Sequence, residues 1–389
     1  MKPFTLVLLT LTTMPAAAIE IATGKMLGQG YESRAFYVRN KPSLPWSKTY
    51  TGATFRAEAA GRLMNLRIAQ ALFHDEWLTE FPFDPGKNTD KLIAALEVYK
   101  AHGILAVNAS LQGGNPGYAK EFPAIQRDRA YKLGPGKGSC ISAFRRDGSI
   151  KPEWLARLKR LQQALDRRGM ILNLMYFYQG QDEVLQDFGA IQRAVANATD
   201  WLIDNNARNV IIEIANEHDI RGWDHNRWIH ENLHELIALA RSRFREKKAG
   251  WVLPIGASTG GSMAVFDNVR DHADLTMFHG NNRTVEQKRA RTGELFADPK
   301  MPGPIYMNED DSGRETTSEV LAKELASCDA VFSQGGSWGY MPWRQTQMFP
   351  FRHYMPARAS KLVSGMKLEE SDPVYFKAVL EHTRKLIFR

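Results

Sequence analysis

From about residue 62 to the C-terminus, short apolar runs alternate with amphipathic stretches, and this rhythm restricts the fold more than any other feature of the chain. The runs are Leu66–Phe73, Ile104–Leu111, Met170–Tyr178, Asn209–Ala215, Val252–Ala257, Leu275–Phe278, Ile305–Met307 and Ala330–Ser333. Most are continuously apolar, as strands buried on both faces must be. Between them, Thr89–His102 carries Leu92, Ile93, Leu96 and Tyr99 at helical spacing and stops at Gly103. Trp154–Arg168, Ile191–Asn205 and Trp228–Lys247 read as further helices. Strands separated by helices form a parallel sheet. Eight such units in a chain of 389 residues predict a closed (β/α)8 TIM barrel over residues 62–389. No GxGxxG follows the first strand, which disfavours a dinucleotide-binding fold.

The first residues stand outside this pattern. Lys2 precedes an apolar run from Phe4 to Met14, and Pro15-Ala16-Ala17-Ala18 ends in the small-x-small pattern of a signal-peptidase site. Residues 1–18 are therefore expected to be a cleaved export signal, placing the protein in the periplasm or outside the cell. Residues 19–61 lack a long period and are expected to be a short irregular extension packed on the barrel. No later stretch has the ~18 consecutive apolar residues of a membrane span.

Export permits a disulfide between Cys140 and Cys328, but two distant cysteines do not decide whether they pair. The net charge of +8 could attract nucleic acid or an acidic polymer. The basic residues are spread along helices, however. Arg157, Lys159, Arg160, Arg167 and Arg168 read as one solvated face, and Arg241, Arg243, Arg245, Lys247 and Lys248 as another. No nucleic-acid-binding motif is present, and no nucleic-acid partner is expected.

Polar residues collect just after each apolar run, where the strand ends of a barrel converge on an active site. Two of these ends place a glutamate directly after an asparagine: Asn216-Glu217 after strand 4 and Asn308-Glu309 after strand 7. Glycosidic-bond cleavage with retention needs one carboxylic acid to protonate the leaving oxygen. It also needs a second carboxylate, ~5–5.5 Å away, to attack the sugar.

In these features the chain resembles the clan A glycoside hydrolases, which include the cellulase-like family five enzymes. The resemblance implies Glu217 as acid/base, Glu309 as nucleophile and Asn216 as a ligand of the sugar 2-hydroxyl. It also implies that His279, after strand 6, hydrogen-bonds the nucleophile, and that Trp338, after strand 8, is an aromatic platform under the sugar. Where family five has a proline after the strand-4 glutamate, this chain has His218. Asn108, Gln112, Tyr178 and Asn308 are further candidate substrate ligands, with Tyr176 and Gln181 nearby, because sugars are bound by planar polar side chains and aromatic faces.

The expected partner is an oligo- or polysaccharide, with no cofactor and no metal. Two other readings remain open. Glu217, His218, Asp219, Asp224, His225 and His230 offer ligand types for a metal-dependent hydrolase on the same barrel. A non-catalytic carbohydrate-binding barrel would use the same surface without turnover.

Overall fold

The computed structural model describes residues 19–76, 82–113, 117–118, 141–220, 223, 226–358, 361–363 and 366–389. The expected export signal, Cys140, Asp224 and His225 lie outside these residues. The barrel strands are β1 (Asn65–Arg67), β2 (Ala106–Ser110), β3 (Ile171–Phe177) and β4 (Val210–Ala215). β5 comes in two pieces, Ile255–Gly256 and Ser258–Thr259, followed by β6 (Thr276–His279), β7 (Ile305–Asp310) and β8 (Ser337–Tyr340). All neighbours pair in parallel. The first piece of β5 pairs with β4 and the second with β6, so the sheet closes on itself. A closed barrel leaves no sheet edge unpaired.

The helices include α1 (Pro85–Ala101), α2 (Pro152–Asp166), α3 (Phe188–Asp204), α4 (Leu233–Glu246), α5 (Asp267–Arg270), α6 (Val285–Ala297), α7 (Ser318–Ser333) and α8 (Leu368–Ile387). Their starts follow local chemistry. Asp84 caps α1 ahead of Pro85, Asp187 caps α3, and Thr284 with Gln287 forms a capping box on α6. In α2, Trp154, Leu158, Leu161 and Leu165 share one buried face. Each such side chain contributes about 1.5–3 kcal/mol by leaving water. No helix among the described residues is long and apolar enough to cross a membrane.

Three expectations need correction. Ala330–Ser333 is not a strand: it is the last turn of α7, and the eighth strand begins at Ser337. A four-residue apolar run cannot distinguish a strand from the buried face of a helix. The first run, Leu66–Phe73, is a strand only to Arg67 and then a 3-10 turn, Ala69–Leu72. Arg157 leaves the expected solvated face; it is buried, its guanidinium lies 5.0 Å over the Trp154 ring, and its Nε donates to Leu72 O.

Residues 20–48 form a three-stranded antiparallel sheet (Glu20–Thr23, Phe36–Arg39, Ser47–Lys48). Ile19, Ile21, Phe36 and Leu63 pack with Ala106, Ile171, Ile211, Leu275, Met277 and Tyr306, sealing the end of the barrel where the strands begin. The extension also joins the chain terminus, since Arg56 N donates to Ile387 O and Arg389 N to Thr54 O. The opposite end, where the strands finish, stays free for chemistry.

Candidate active site

Glu309 faces the barrel mouth because β7 is irregular. Phe278 pairs with Met307 but His279 pairs with Glu309, so Asn308 is the extra residue of a bulge. A bulge resets the two-residue alternation of a strand. Asn308 and Glu309 therefore both point inward, at different heights, and Asp310 points out toward the helices. The three consecutive acids Glu309, Asp310 and Asp311 thus fall in three environments. Asp310 takes Lys288 Nζ of α6 at 2.6 Å and the Trp338 indole N–H at 2.8 Å, all fully buried. Burial first, and then the charges of Asp310 and Glu309, push the Asp311 carboxyl up to about 7 against a backbone hydrogen bond from Gly313. Glu309 alone meets the site.

Glu217 follows β4 in the left-handed backbone region, with φ 45°. That conformation costs a non-glycine residue on the order of 1–3 kcal/mol and persists only where the surroundings hold it. Here the Glu217 N–H donates to Ser258 Oγ at 3.1 Å and its carbonyl accepts the Trp223 indole N–H at 3.0 Å. His218 N then bonds to Ser258 O on β5. The strained turn aims the Glu217 side chain over the mouth.

The two carboxylates meet through shared neighbours. His279 Nδ1 lies 3.0 Å from Glu217 Oε1 and 3.6 Å from Glu309 Oε2. One oxygen of each glutamate and one His279 nitrogen all fall within 4.8 Å of each other. The other Glu217 oxygen accepts Gln179 Nε2 at 2.9 Å, and Gln179 Oε1 accepts Asn216 Nδ2 at 2.8 Å. Arg67, from β1, ion-pairs with Glu309 through Nε and donates to Asn216 Oδ1 at 2.7 Å through a terminal nitrogen. Asn281 Nδ2 donates to the second Glu309 oxygen at 2.5 Å.

These contacts set the charges. Burial alone would raise the Glu309 carboxyl, but Arg67, His279 and Asn281 outweigh it and hold it below the usual glutamate range. Burial alone would lower His279, but Glu309 and Glu217 outweigh it and raise its affinity for a proton. The site thus combines a fixed anion, a buried cation behind it and an imidazole bonded to Glu217 and close to Glu309.

The other sequence candidates divide. Asn216 and His279 belong to the site, but the His279 hydrogen bond goes to Glu217 at 3.0 Å and not to Glu309, which is 3.6 Å away. Tyr178 borders it, with its ring centre 5.9 Å from the Arg67 guanidinium carbon. Asn108 and Asn308 do not reach the mouth. They belong to a buried polar layer below it, in which Asn108 bonds to Asn65, Tyr306 and the Asn308 carbonyl. Asn308 and Asn173 both donate to Glu213 in that layer. Gln112 is also buried and braces loops, linking Ser142, the Gln181 carbonyl and the Tyr178 N–H. Tyr176 bonds to Thr199 under α3.

Trp338 lies within β8, is fully buried, stacks on Tyr340 and bonds to Asp310, so it offers no exposed face to a sugar. The glycines near it serve close packing. A Cβ at Gly339 would strike the Asn65 side chain, and one at Gly336 would strike Thr292 and Val331.

Sequence reasoning missed Arg67, Gln179 and Asn281. Arg67 carried a readable signal: it is a lone charge inside an apolar strand, which requires a buried partner. Of the candidate metal ligands, Asp224 and His225 lie outside the described residues, and Glu217, His218, Asp219 and His230 do not form one cluster. His218 and His230 face each other with Nδ1 atoms 2.8 Å apart beside Phe266, and burial with that neighbour holds His218 neutral. Asp219 binds Gly260 N and Ser262. Among the described residues, Glu217, His279 and Glu309 are the group whose atoms could converge on a cation. The Arg67 guanidinium already occupies Glu309 and would repel one.

The chain matches no protein-family model and no curated protein. Among solved structures it is similar to a GH5-4 broad specificity endoglucanase from Bacteroides salanitronis, at 14% identity and a TM-score of 0.52, over 88% of this chain and 98% of that one. It is also similar to an exo-beta-1,4-mannosidase from Opitutaceae bacterium strain TAV5, at 12% identity and a TM-score of 0.50. That alignment covers 86% of this chain and 62% of the mannosidase, so the present chain spans under two thirds of that enzyme's length. At this identity the likeness is one of fold, and the fold is the barrel that family 5 glycoside hydrolases use.

Proposed function

We propose that this chain is an exported retaining glycoside hydrolase acting on an oligo- or polysaccharide. The observation that carries the reading is the facing of Glu217 and Glu309 across the mouth, with one oxygen of each within 4.8 Å, around a shared His279 and in front of a buried Arg67. The close approach suits double displacement, since an inverting pair stands ~6.5–9.5 Å apart to admit a water.

In the proposed reaction a Glu309 oxygen attacks the anomeric carbon while Glu217 gives its proton to the departing glycosidic oxygen. Glu309 is held ionised for this by Arg67, His279 and Asn281. Forming the glycosyl ester cancels the charge on Glu309. Glu217, having given up its proton, is now a carboxylate beside His279. That carboxylate takes a proton from water, and the water attacks the same carbon and releases Glu309. Asn216, fixed between Arg67 and Gln179, is placed to meet a hydroxyl beside the reacting carbon.

The Ala16-Ala17-Ala18 pattern supports export. The test is turnover by the purified protein on a panel of aryl glycosides and polysaccharides, beside Glu309→Ala. Hydrolysis by the parent and none by the variant is the expected result. Binding without hydrolysis by the parent would favour a carbohydrate-binding barrel.

A further inference from the structure

Ile19, the residue that follows the expected cleavage point, is already built into the barrel floor. Its side chain is buried in the apolar cluster with Ile21, Phe36 and Ile171, leaving the residue 4% exposed. Its backbone nitrogen donates to Asp166 Oδ1 at 3.0 Å. The next residues are anchored as well. Glu20 takes Arg39 at 2.6 Å and Arg208 at 2.5 Å, and Ile21 N bonds to Arg208 O.

Asp166 is the last residue of α2, where the helix dipole disfavours a negative side chain.

We propose that hydrolysis of the Ala18–Ile19 bond during export creates a half-buried N-terminal ammonium at Ile19 that ion-pairs with Asp166 and locks the N-terminal sheet onto the barrel. The inference rests on the export reading and is independent of the glycosidase reading. A signal peptidase adds water across the bond: Ala18 leaves as a carboxylate and the Ile19 nitrogen takes up a proton. An amide N–H facing Asp166 thereby becomes a full cation at the same place. The contact then carries charge on both sides instead of on the carboxylate alone.

The order of events follows from burial. A peptidase must hold extended chain on both sides of the bond it cuts, and Ile19 is inaccessible once Glu20–Thr23 pairs with Phe36–Arg39. Cutting therefore precedes docking of the N-terminal strand.

Two measurements test this. First, the full chain is expressed in a bacterium with an export pathway, and the exported protein's N-terminus is read by sequencing and intact mass; Ile19 is expected. Any other N-terminus refutes the cut, whatever the stability data show. Second, chains beginning at Ile19 and at Ala18 are compared, each with Asp166 and with Asp166→Asn. Retaining Ala18 moves the ammonium one residue away. The expected result is a Tm about 1–2 °C lower for the Ala18 form. Asp166→Asn should also cost the Ile19 form more than the Ala18 form. Equal Tm values for the two forms, or an equal cost of Asp166→Asn in both, would overturn the ion pair while leaving the cut standing.

Discussion

Arg67→Met removes the cation that holds Glu309 ionised while keeping a side chain of similar length. Arg67 is fully buried and holds two site residues at once, Glu309 and Asn216. Breaking a buried ion pair by deleting one partner costs about 3–5 kcal/mol, because the other charge is left uncompensated. Glu309 escapes part of that cost by taking up a proton, and protonated it cannot attack. If 3–4 kcal/mol of this reappears in the barrier, kcat/KM falls on the order of 10²–10³ at neutral pH.

The pH dependence separates this from general damage. In the parent, Glu309 sits below its unfolded pKa of ~4.3. Its ionisation therefore stabilises the fold above that pH, and the benefit disappears as pH falls through the folded pKa. In Arg67→Met burial dominates, and the folded pKa lies above the unfolded one. Stability is then lost as pH rises from ~4.3 through the new value. The acid limb of kcat/KM should move upward by the same cause. The assay is kcat/KM from pH 4 to 8 with thermal melts over the same range. A uniform loss at every pH, with the acid limb unmoved, would refute the claim that Arg67 acts through the charge of Glu309.

The remaining predictions use other contacts. Glu217→Ala should lose most activity on substrates with poor leaving groups and little on activated aryl glycosides, read as the ratio of kcat/KM between the two; equal losses would remove Glu217 from the acid role. Lys288→Met should destabilise the fold by about 3–5 kcal/mol in denaturant melts, because Asp310 is left charged and buried beside Trp338. Adding Asp310→Asn to Lys288→Met should recover much of that loss.

The strand–helix rhythm made the barrel legible, because strands buried on both faces must be apolar throughout and the helices between them must not be. It failed where a run was too short to carry a period, as at Ala330–Ser333. The two glutamates were legible because they end the fourth and seventh runs. Asn308 and Trp338 were misplaced for different reasons: Asn308 points inward but lies in the polar layer below the mouth, held by Glu213, and Asp310 holds the Trp338 indole in a buried position. No sequence pattern marks a bulge one residue before a catalytic candidate. Arg67 was missed although its isolation in an apolar strand was readable, because its partner lies 242 residues further along the chain, across the barrel. Gln179 and Asn281 sit in polar strand ends, where their residue types do not distinguish them from their neighbours.

The most direct test of the central claim is mechanism-based labelling. The parent protein is incubated with activated 2-deoxy-2-fluoro glycosides of the sugar it hydrolyses, and the adduct is located by intact mass and peptide sequencing. The account predicts one sugar per chain, esterified to Glu309, together with net retention at the anomeric carbon of the natural product. Turnover with inversion and no adduct, or an adduct on any other residue, would contradict it.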